Sequence, residues 1–309
     1  MKGGLKVGTR GSKLALWQAE WVRAALQRAG VASELRIIET RGDAEVDRPL
    51  HELEGKGFFT KAIEEALLDG RIDVAVHSLK DLPTTLPPGL ALAAVPKRAN
   101  AAEVLITRDR IASLAALPAG AKVGTSSLRR VAQVRHLRPD LAVVPLRGNV
   151  PTRVQKVREG RDGLAAALLA EAGLERLELA GDIAARIDPF EVMPAPGQGA
   201  LGLEVRADDR SARSALAPLE DPVSELQIVA ERGLLAALEG GCQAPVAAYC
   251  GTRDSGHGTR DTLYGRVTAH DGSVQITAAA DIDEREPVAA GILVADLLKA
   301  QGASRLLRP

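Results

Sequence analysis

One short stretch, residues 72–82 with the sequence I-D-V-A-V-H-S-L-K-D-L, constrains the fold of the chain most strongly. Its apolar run V-A-V is bounded by polar residues, which is typical of a strand buried on both faces of a sheet. A helical segment precedes it, so the order of elements predicts an α/β fold. Ser78, Lys80 and Asp81 follow the apolar run, at the end where open α/β sheets bind ligands. The alternative is structural, with Asp81 capping a turn and Lys80 solvated.

Two strand-turn-helix units share a sequence pattern. Residues 7–12 read V-G-T-R-G-S and residues 123–128 read V-G-T-S-S-L, each between a predicted strand and a predicted helix. This echo predicts a duplicated α/β architecture with a cleft between the two copies. The alanine- and leucine-rich residues 164–179 are predicted to be helical. Alternating strands within 246–279, followed by a helix at 287–301, predict a small α+β domain at the C-terminal end.

Composition excludes several classes of protein. The 309 residues are 46% hydrophobic and 26% charged, which is typical of a soluble globular protein. Lysine plus arginine balance aspartate plus glutamate at 40 each, so net charge indicates neither a nucleic-acid nor a membrane partner. No signal segment opens the sequence, so the cytoplasm is expected. The two cysteines lack C-x-x-C spacing and the histidines are scattered, so no metal site is predicted.

The middle of the chain is rich in arginine. Arg129 and Arg130 follow a Thr-Ser-Ser turn at a predicted helix start, where free N–H groups and the helix dipole favour an anion. Arg147 follows a strand, Arg153 lies on the first turn of the next helix, and Arg10 follows the first strand. Guanidinium groups at such places bind carboxylate or phosphate with two parallel hydrogen bonds, which predicts anion binding. The alternative, a solvated basic helix face, suits the other cations of this region.

Cys242 follows two glycines just beyond a predicted helix, where the backbone can hold a thiol outward. The thiol is either a nucleophile or attachment point, or an inert buried cysteine, and the residues leave both interpretations open. Cys250 lies on a predicted strand and is interpreted as a core residue. The polar residues 40–57 form a long loop for a compact domain, and we predict an active-site lid there.

Seven motifs between residues 8 and 245 resemble those of one family, porphobilinogen deaminase, also called hydroxymethylbilane synthase, and the resemblance runs through about residues 5–305. They are G-T-R-G-S-K-L-A-L-W-Q (8–18), G-K-G-F-F (55–59), D-V-A-V-H-S-L-K-D-L-P (73–83), V-G-T-S-S-L-R-R (123–130), L-R-G-N-V-P-T-R (146–153), P-G-Q-G-A (196–200) and E-G-G-C-Q-A-P (239–245). Their order and spacing are those of the family, which belongs to tetrapyrrole biosynthesis.

The resemblance implies an α/β fold with two periplasmic-binding-protein-like (type II) domains around a cleft, plus a small α+β C-terminal domain. Domain 1 would span residues 1–98 and 199–218, domain 2 residues 99–198, and domain 3 residues 219–309. In the family a cysteine of the third domain, matching Cys242, holds a dipyrromethane cofactor through a thioether. Four porphobilinogen molecules are joined head to tail on this primer, each losing ammonia, and hydroxymethylbilane is released.

The resemblance also implies roles for individual residues. Asp81 matches a catalytic carboxylate that stabilises the azafulvene cation formed when ammonia leaves. The growing chain carries an acetate and a propionate on each pyrrole, which explains the need for many cations. Cofactor-binding positions are matched by Ser78, Lys80, Asp81, Thr125, Ser126, Ser127, Arg129, Arg130, Arg147 and Cys242. Positions on the incoming-substrate side are matched by Arg10, Ser12, Lys56, Phe59, Arg153 and Gln198.

The strongest alternative is a non-catalytic receptor of the periplasmic-binding-protein type for a carboxylate ligand. Asp81 together with Cys242 favours the enzyme, because a receptor for an anion gains nothing from a carboxylate aimed at its ligand. A nucleic-acid-binding regulator would instead show strongly salt-dependent affinity. The family suggests a monomer with porphobilinogen as small-molecule substrate, no nucleic-acid or membrane partner, and hand-over of product to uroporphyrinogen-III synthase.

Overall fold

The computed structural model describes residues 4–39, 60–238, 244–254 and 259–307. The strands are β1 (Leu5–Thr9), β2 (Ser33–Ile37), β3 (Val74–Ser78), β4 (Leu90–Ala94), β5 (Glu103–Thr107), β6 (Lys122–Gly124), β7 (Ala142–Val144), β8 (Leu164–Ala170), β9 (Ile183–Ile187), β10 (Leu201–Arg206), β11 (Val246–Asp254), β12 (Thr259–Thr268) and β13 (Gln275–Asp281). The helices are α1 (Lys13–Arg28), α2 (Lys61–Leu68), α3 (Leu128–Leu137), α4 (Val150–Arg158), α5 (Glu171–Glu175), α6 (Arg210–Leu216), α7 (Pro222–Ala237), α8 (Pro287–Ala300) and α9 (Ala303–Leu306). None of these helices has the length and apolar character needed to cross a membrane.

The chain divides into two compact units, and the first comprises Met1–Ala99 and Gly199–Glu225. Its five-stranded sheet has the order β2-β1-β3-β10-β4. Strand β1 is parallel to both of its neighbours, whereas β10 is antiparallel to β3 and β4. Helix α1 buries Val22 and Leu26 in the same apolar cluster as Val7 and Leu203 of the sheet. This apolar cluster is the core that supports the ends of β1 and β3.

The second unit comprises Asn100–Gln198 and Leu226–Pro309. Its five-stranded sheet has the order β7-β6-β8-β5-β9, with β6 parallel to both neighbours and β5 antiparallel to β8 and β9. Strand β6 therefore has the place in this sheet that β1 has in the first, and these strands carry the two V-G-T sequences. The duplicated architecture predicted from that echo is confirmed.

A third, antiparallel sheet, β11-β12-β13, completes the second unit. Val294 and Leu298 of α8 are fully buried and share an apolar cluster with Leu263 and Val267 of β12. The predicted α/β class is thereby confirmed, with two mixed five-stranded sheets and a small α+β C-terminal part. The division into three domains stays a prediction.

Residues 164–179 are not one helix, and that prediction is wrong. The run L-A-A-A-L-L-A forms strand β8, which pairs with β5 on one side and β6 on the other. Consecutive residues Ala166, Ala167 and Leu168 are at most 1% exposed, because both faces of the central strand are covered. Burial on two faces outweighs the helix propensity of alanine and leucine. Within this stretch only Glu171–Glu175 forms an α-helix, α5, and the 3₁₀ turn Ala180–Asp182 begins just beyond it.

The chain leaves the first unit twice, after Ala99 and after Glu225, and the two exit segments are hydrogen-bonded to each other. The N–H of Val95 donates to Glu220 Oε2 at 3.0 Å, and the N–H of Asp221 donates to the Val95 carbonyl at 3.0 Å. The N–H of Arg98 donates to Ser224 Oγ at 2.8 Å. The two exit segments therefore form one joint, and one of its hydrogen bonds is accepted by the Glu220 carboxylate.

Glu220 is expected to make the stability of this joint depend on pH. Burial raises its pKa to about 7, against the hydrogen bond from Val95, and the nearby carboxylates of Glu225 and Asp221 raise it further. The folded protein therefore keeps a proton that the unfolded chain loses near pH 4.5, so stability falls as pH rises from 4.5 to about 7. In Glu220→Gln the melting temperature should fall less over this range than in the wild type. The exposed Glu65→Gln should keep the wild-type slope, and an unchanged slope in Glu220→Gln would contradict the assignment.

Candidate active site

The first unit gathers five predicted site residues at one edge of its sheet. Strands β1 and β3 are parallel neighbours, so their carboxyl ends lie at the same edge. Arg10 and Ser12 follow β1. Ser78 ends β3, and Lys80 and Asp81 lie on the single turn of 3₁₀-helix that follows it. The edge thus presents two hydroxyls, two cations and one carboxylate.

The turn that carries Asp81 is anchored on both sides. Leu79 and Leu82 are each 1% exposed, and the N–H of Leu79 donates to the carbonyl of Ala200 at 3.0 Å. Lys80 is half-buried and Asp81 is exposed. The backbone is therefore held by buried leucines while the carboxylate faces outward, which is how a rigid scaffold presents a reactive group.

Helix α1 connects the two strand ends. Ser12 caps the helix, its Oγ accepting a hydrogen bond from the N–H of Ala15 at 3.3 Å. One turn later Gln18, 2% exposed, donates from Nε2 to Ser78 Oγ at 2.8 Å. The Ser78 oxygen accepts this bond, which leaves its hydroxyl proton to donate. The sequence analysis did not single out Gln18, although it closes the motif at residues 8–18.

In the second unit, the loops at the carboxyl ends of the parallel strands β6 and β7 are joined by hydrogen bonds. The N–H of Thr125 donates to the Val144 carbonyl at 2.9 Å. Ser126 Oγ donates to the Leu146 carbonyl at 3.0 Å and accepts from the Leu146 N–H at 3.1 Å. These bonds place the Thr-Ser-Ser turn beside Arg147. The hydroxyl of Ser126 is occupied by the loop itself, whereas Ser127 is only half-buried.

Arg153 is held near the same edge by its own loop. Helix α4 begins at Asn149, whose side-chain oxygen accepts from the Thr152 N–H at 3.0 Å. Arg153, on the first turn, donates from Nε to the Gly148 carbonyl at 2.7 Å. That bond fixes the direction of a half-buried guanidinium group.

Arg129 and Arg130 are buried against a carboxylate from strand β5. Each is 5% exposed, and Glu103 is fully buried. Arg129 donates to Glu103 Oε1 and to the Met193 carbonyl, both at 2.6 Å. Arg130 Nη2 lies 2.7 Å from Glu103 Oε2. Burial lowers the pKa of Arg129 despite Glu103, and Arg130 lowers it further. Glu103 thus offers one negative charge to two guanidinium groups.

This arrangement fits an anionic ligand. Arg130 Nε is buried and, among the described residues, has no hydrogen-bond partner. A buried cation with an unmet donor is costly, and a carboxylate ligand would supply both a charge and an acceptor. A third buried cation, Arg176, escaped the sequence analysis; it is 9% exposed, and burial lowers its pKa to about 10. Arg176 lies in none of the sequence motifs, so no pattern indicated that it is buried.

The remaining predicted residues fall in two classes. Gln198 is fully buried and donates from Nε2 to the Ala101 carbonyl at 2.8 Å. Cys242, Lys56, Phe59 and the predicted lid at 40–57 lie outside the described residues. Cys250 is 4% exposed, with Sγ 3.4 Å from the Gln227 carbonyl, so its interpretation as a core residue is confirmed.

Comparison with known proteins shows the family of the chain. A family model described as "Porphobilinogen deaminase, dipyromethane cofactor binding domain" matches residues 5–214, and one for the porphobilinogen deaminase C-terminal domain matches residues 225–300. The chain belongs to the porphobilinogen deaminase family. The porphobilinogen deaminase of Roseiflexus sp. (strain RS-1) is 49% identical, with 99% of each chain covered. That of Moorella thermoacetica is 47% identical, covering 98% of this chain and 96% of the relative.

Solved structures with similar architecture are far more distant in sequence. The methionine-binding protein MetQ is 14% identical with a TM-score of 0.44, covering 72% of this chain and 92% of that one. The L-cystine solute receptor of Neisseria gonorrhoeae is 18% identical with a TM-score of 0.40, covering 75% and 91%.

Membership of the porphobilinogen deaminase family establishes the activity. The chain is a transferase of tetrapyrrole and heme biosynthesis that uses a dipyrromethane cofactor. It joins four porphobilinogen molecules with loss of ammonia and releases hydroxymethylbilane. The alternative interpretation, a non-catalytic receptor for a carboxylate ligand, is not favoured.

Proposed function

We propose that Asp81 is the catalytic carboxylate of this porphobilinogen deaminase and that Cys242 attaches its dipyrromethane. The observation that carries the proposal is the placement of polar residues beyond the carboxyl ends of neighbouring parallel strands in both duplicated sheets: β1 and β3 in one unit, β6 and β7 in the other. Ligands of open α/β sheets bind at such strand ends.

The cations and hydroxyls at these ends bind the carboxylates of cofactor and product chain. The dipyrromethane, when bound, supplies the primer to which the first substrate is joined. The protein positions it by charge-assisted hydrogen bonds, which are stronger than neutral ones. The proposed cofactor-binding residues are Ser78, Lys80, Asp81, Thr125, Ser126, Ser127, Arg129, Arg130 and Arg147.

The incoming porphobilinogen is bound by a second set of residues, comprising Arg10, Ser12, Lys56, Phe59, Arg153 and Gln198. Its loss of ammonia leaves positive charge on the pyrrole system. The exposed carboxylate of Asp81, on its anchored turn, stabilises that charge and accepts hydrogen bonds from pyrrole N–H groups. The carboxylate needs no rearrangement to do so, because Leu79 and Leu82 already fix the turn.

The same proposal covers the organisation of the protein. Domain 1 spans residues 1–98 and 199–218, domain 2 residues 99–198 and domain 3 residues 219–309. The separate apolar cluster beneath β11, β12 and β13 supports a distinct third domain. The protein acts as a cytoplasmic monomer and passes its product to uroporphyrinogen-III synthase.

A matched pair of variants tests the carboxylate clamp. Arg130→Leu leaves Arg129 and Glu103 as a balanced pair, so we expect little loss of stability but a large loss of bound primer. Arg129→Leu leaves Arg130 paired with Glu103 but also removes the buried hydrogen bond to the Met193 carbonyl, so it should lower stability by about 1–3 kcal/mol. Intact mass reports primer content and urea unfolding reports stability. A fully primed Arg130→Leu protein would count against the clamp.

A further inference from the structure

Glu231 is a buried carboxylate for which the proposed chemistry has no use. It lies on α7, is fully buried, and accepts hydrogen bonds from two backbone N–H groups on different segments. Gly197 donates to Oε2 at 2.7 Å and Cys250 donates to Oε1 at 3.1 Å. A buried carboxylate is tolerated only when such bonds replace its hydration, so the contact is a specific one.

The first of these bonds holds the turn that carries Gln198. Gly197 and Gly199 adopt φ values of +76° and +86°, so the turn has left-handed backbone on both sides of Gln198. The N–H of Gln198 donates to the Ala195 carbonyl at 3.0 Å, while its side chain reaches Ala101. The hydrogen bonds between paired strands do not hold a turn of this kind. The Glu231 carboxylate holds it instead, by accepting a hydrogen bond from Gly197, one residue before Gln198.

The second bond spans the segment that contains Cys242. In the sequence Cys242 lies between Ala237, where α7 ends, and Val246, where β11 begins. Glu231 is on the helix before it and Cys250 is on the strand after it. The Sγ of Cys250 also lies 3.4 Å from the Gln227 carbonyl, one turn earlier on α7. The helix before Cys242 and the strand after it are therefore hydrogen-bonded to each other.

We infer that Glu231 is a positioning residue that sets the Gln198 turn relative to the two elements flanking Cys242. It acts through Gln198 and never touches substrate itself. The inference rests on the proposed roles of Gln198 and Cys242. One side chain thus links the helix and the strand that flank the proposed attachment residue to the turn that carries the proposed substrate-binding residue Gln198.

Glu231→Gln tests the inference with almost no change in shape. Its amide offers one acceptor oxygen where two are needed, and its NH₂ group faces an N–H donor, so one bond is lost together with the charge. We expect a fully primed protein, by intact mass, whose KM for porphobilinogen rises about tenfold with a smaller change in kcat. Should Glu231→Gln not fold, Glu231→Asp, which keeps the charge but shortens the side chain, is expected to raise KM in the same direction.

Two controls separate positioning from general stability. Leu298→Ala, in the core of the third sheet, should lower the melting temperature while KM stays unchanged. Gln198→Ala should raise KM, and adding Glu231→Gln to it should have no further effect, because both act through one group. An unchanged KM in primed Glu231→Gln, or multiplicative effects in the double variant, would overturn the inference. Wild-type protein without primer or turnover would instead refute the proposed function on which it rests.

Discussion

Asp81→Asn is expected to lower kcat about 10²–10³-fold while the protein still folds and carries its primer. Asp81 is exposed, and its turn is held by Leu79 and Leu82, so the substitution leaves the core untouched. Asparagine keeps the size of the side chain and its ability to accept hydrogen bonds. It removes the negative charge that offsets the positive charge left by ammonia. Steady-state ammonia release measures kcat, and intact mass verifies the primer.

The control for this variant is Asp69→Asn. Asp69 is an exposed carboxylate in the same unit, and its Oδ2 lies 3.4 Å from Nη2 of the exposed Arg71 side chain. Its removal should change neither kcat nor primer content, because exposed ion pairs contribute little. Near-normal turnover in Asp81→Asn would rule out the catalytic role, whatever the control shows.

Cys242→Ser is expected to abolish turnover and to remove a mass equal to two linked pyrrole units from the purified protein. A serine hydroxyl is a far weaker nucleophile than a thiol at neutral pH and cannot replace the thioether. Without a primer there is no acceptor for the first porphobilinogen, so the loss should exceed that of any other single substitution proposed for this chain.

The second cysteine provides the control. Cys250→Ser should retain the extra mass and the activity, with some loss of stability because its Sγ is buried beside Gln227. Loss of the extra mass in Cys250→Ser alone would transfer the attachment to that residue and contradict the assignment. A wild-type protein of bare polypeptide mass that also fails reconstitution with porphobilinogen would contradict the covalent primer itself.

Local sequence predicts those elements whose partners are near in the chain. The strands and helices predicted on either side of the two V-G-T turns correspond to β1 and α1 in the first unit and to β6 and α3 in the second. Strands β5 and β10 have no comparable signal, because each is defined by pairing with distant strands: Glu103 pairs with Ala170, and Leu201 with Ser78. The prediction of a helix in place of β8 is wrong for the same reason, because the neighbouring strands β5 and β6 come from distant parts of the chain.

Some features of the candidate site can likewise be predicted from local sequence, whereas others depend on distant residues. A strand end followed by serine, lysine or arginine is visible in sequence, and the structure places Asp81 and Arg147 at such ends. The pairing of Arg129 with Glu103 is not visible, because the carboxylate comes from a strand 26 residues earlier. Sequence patterns thus indicate which groups stand at the sheet edges, whereas the buried charges that hold or counter them depend on tertiary packing.

The place of β10 in the first sheet sets an order for assembly during synthesis. This strand lies between β3 and β4, yet residues 201–206 are made only after the whole of the second five-stranded sheet, which spans residues 103–187. On the ribosome the second sheet can therefore close before the first, although the first begins earlier in the chain. A nascent chain that stops near residue 200 exposes the unpaired edges of β3 and β4, which makes it prone to aggregation and to capture by chaperones.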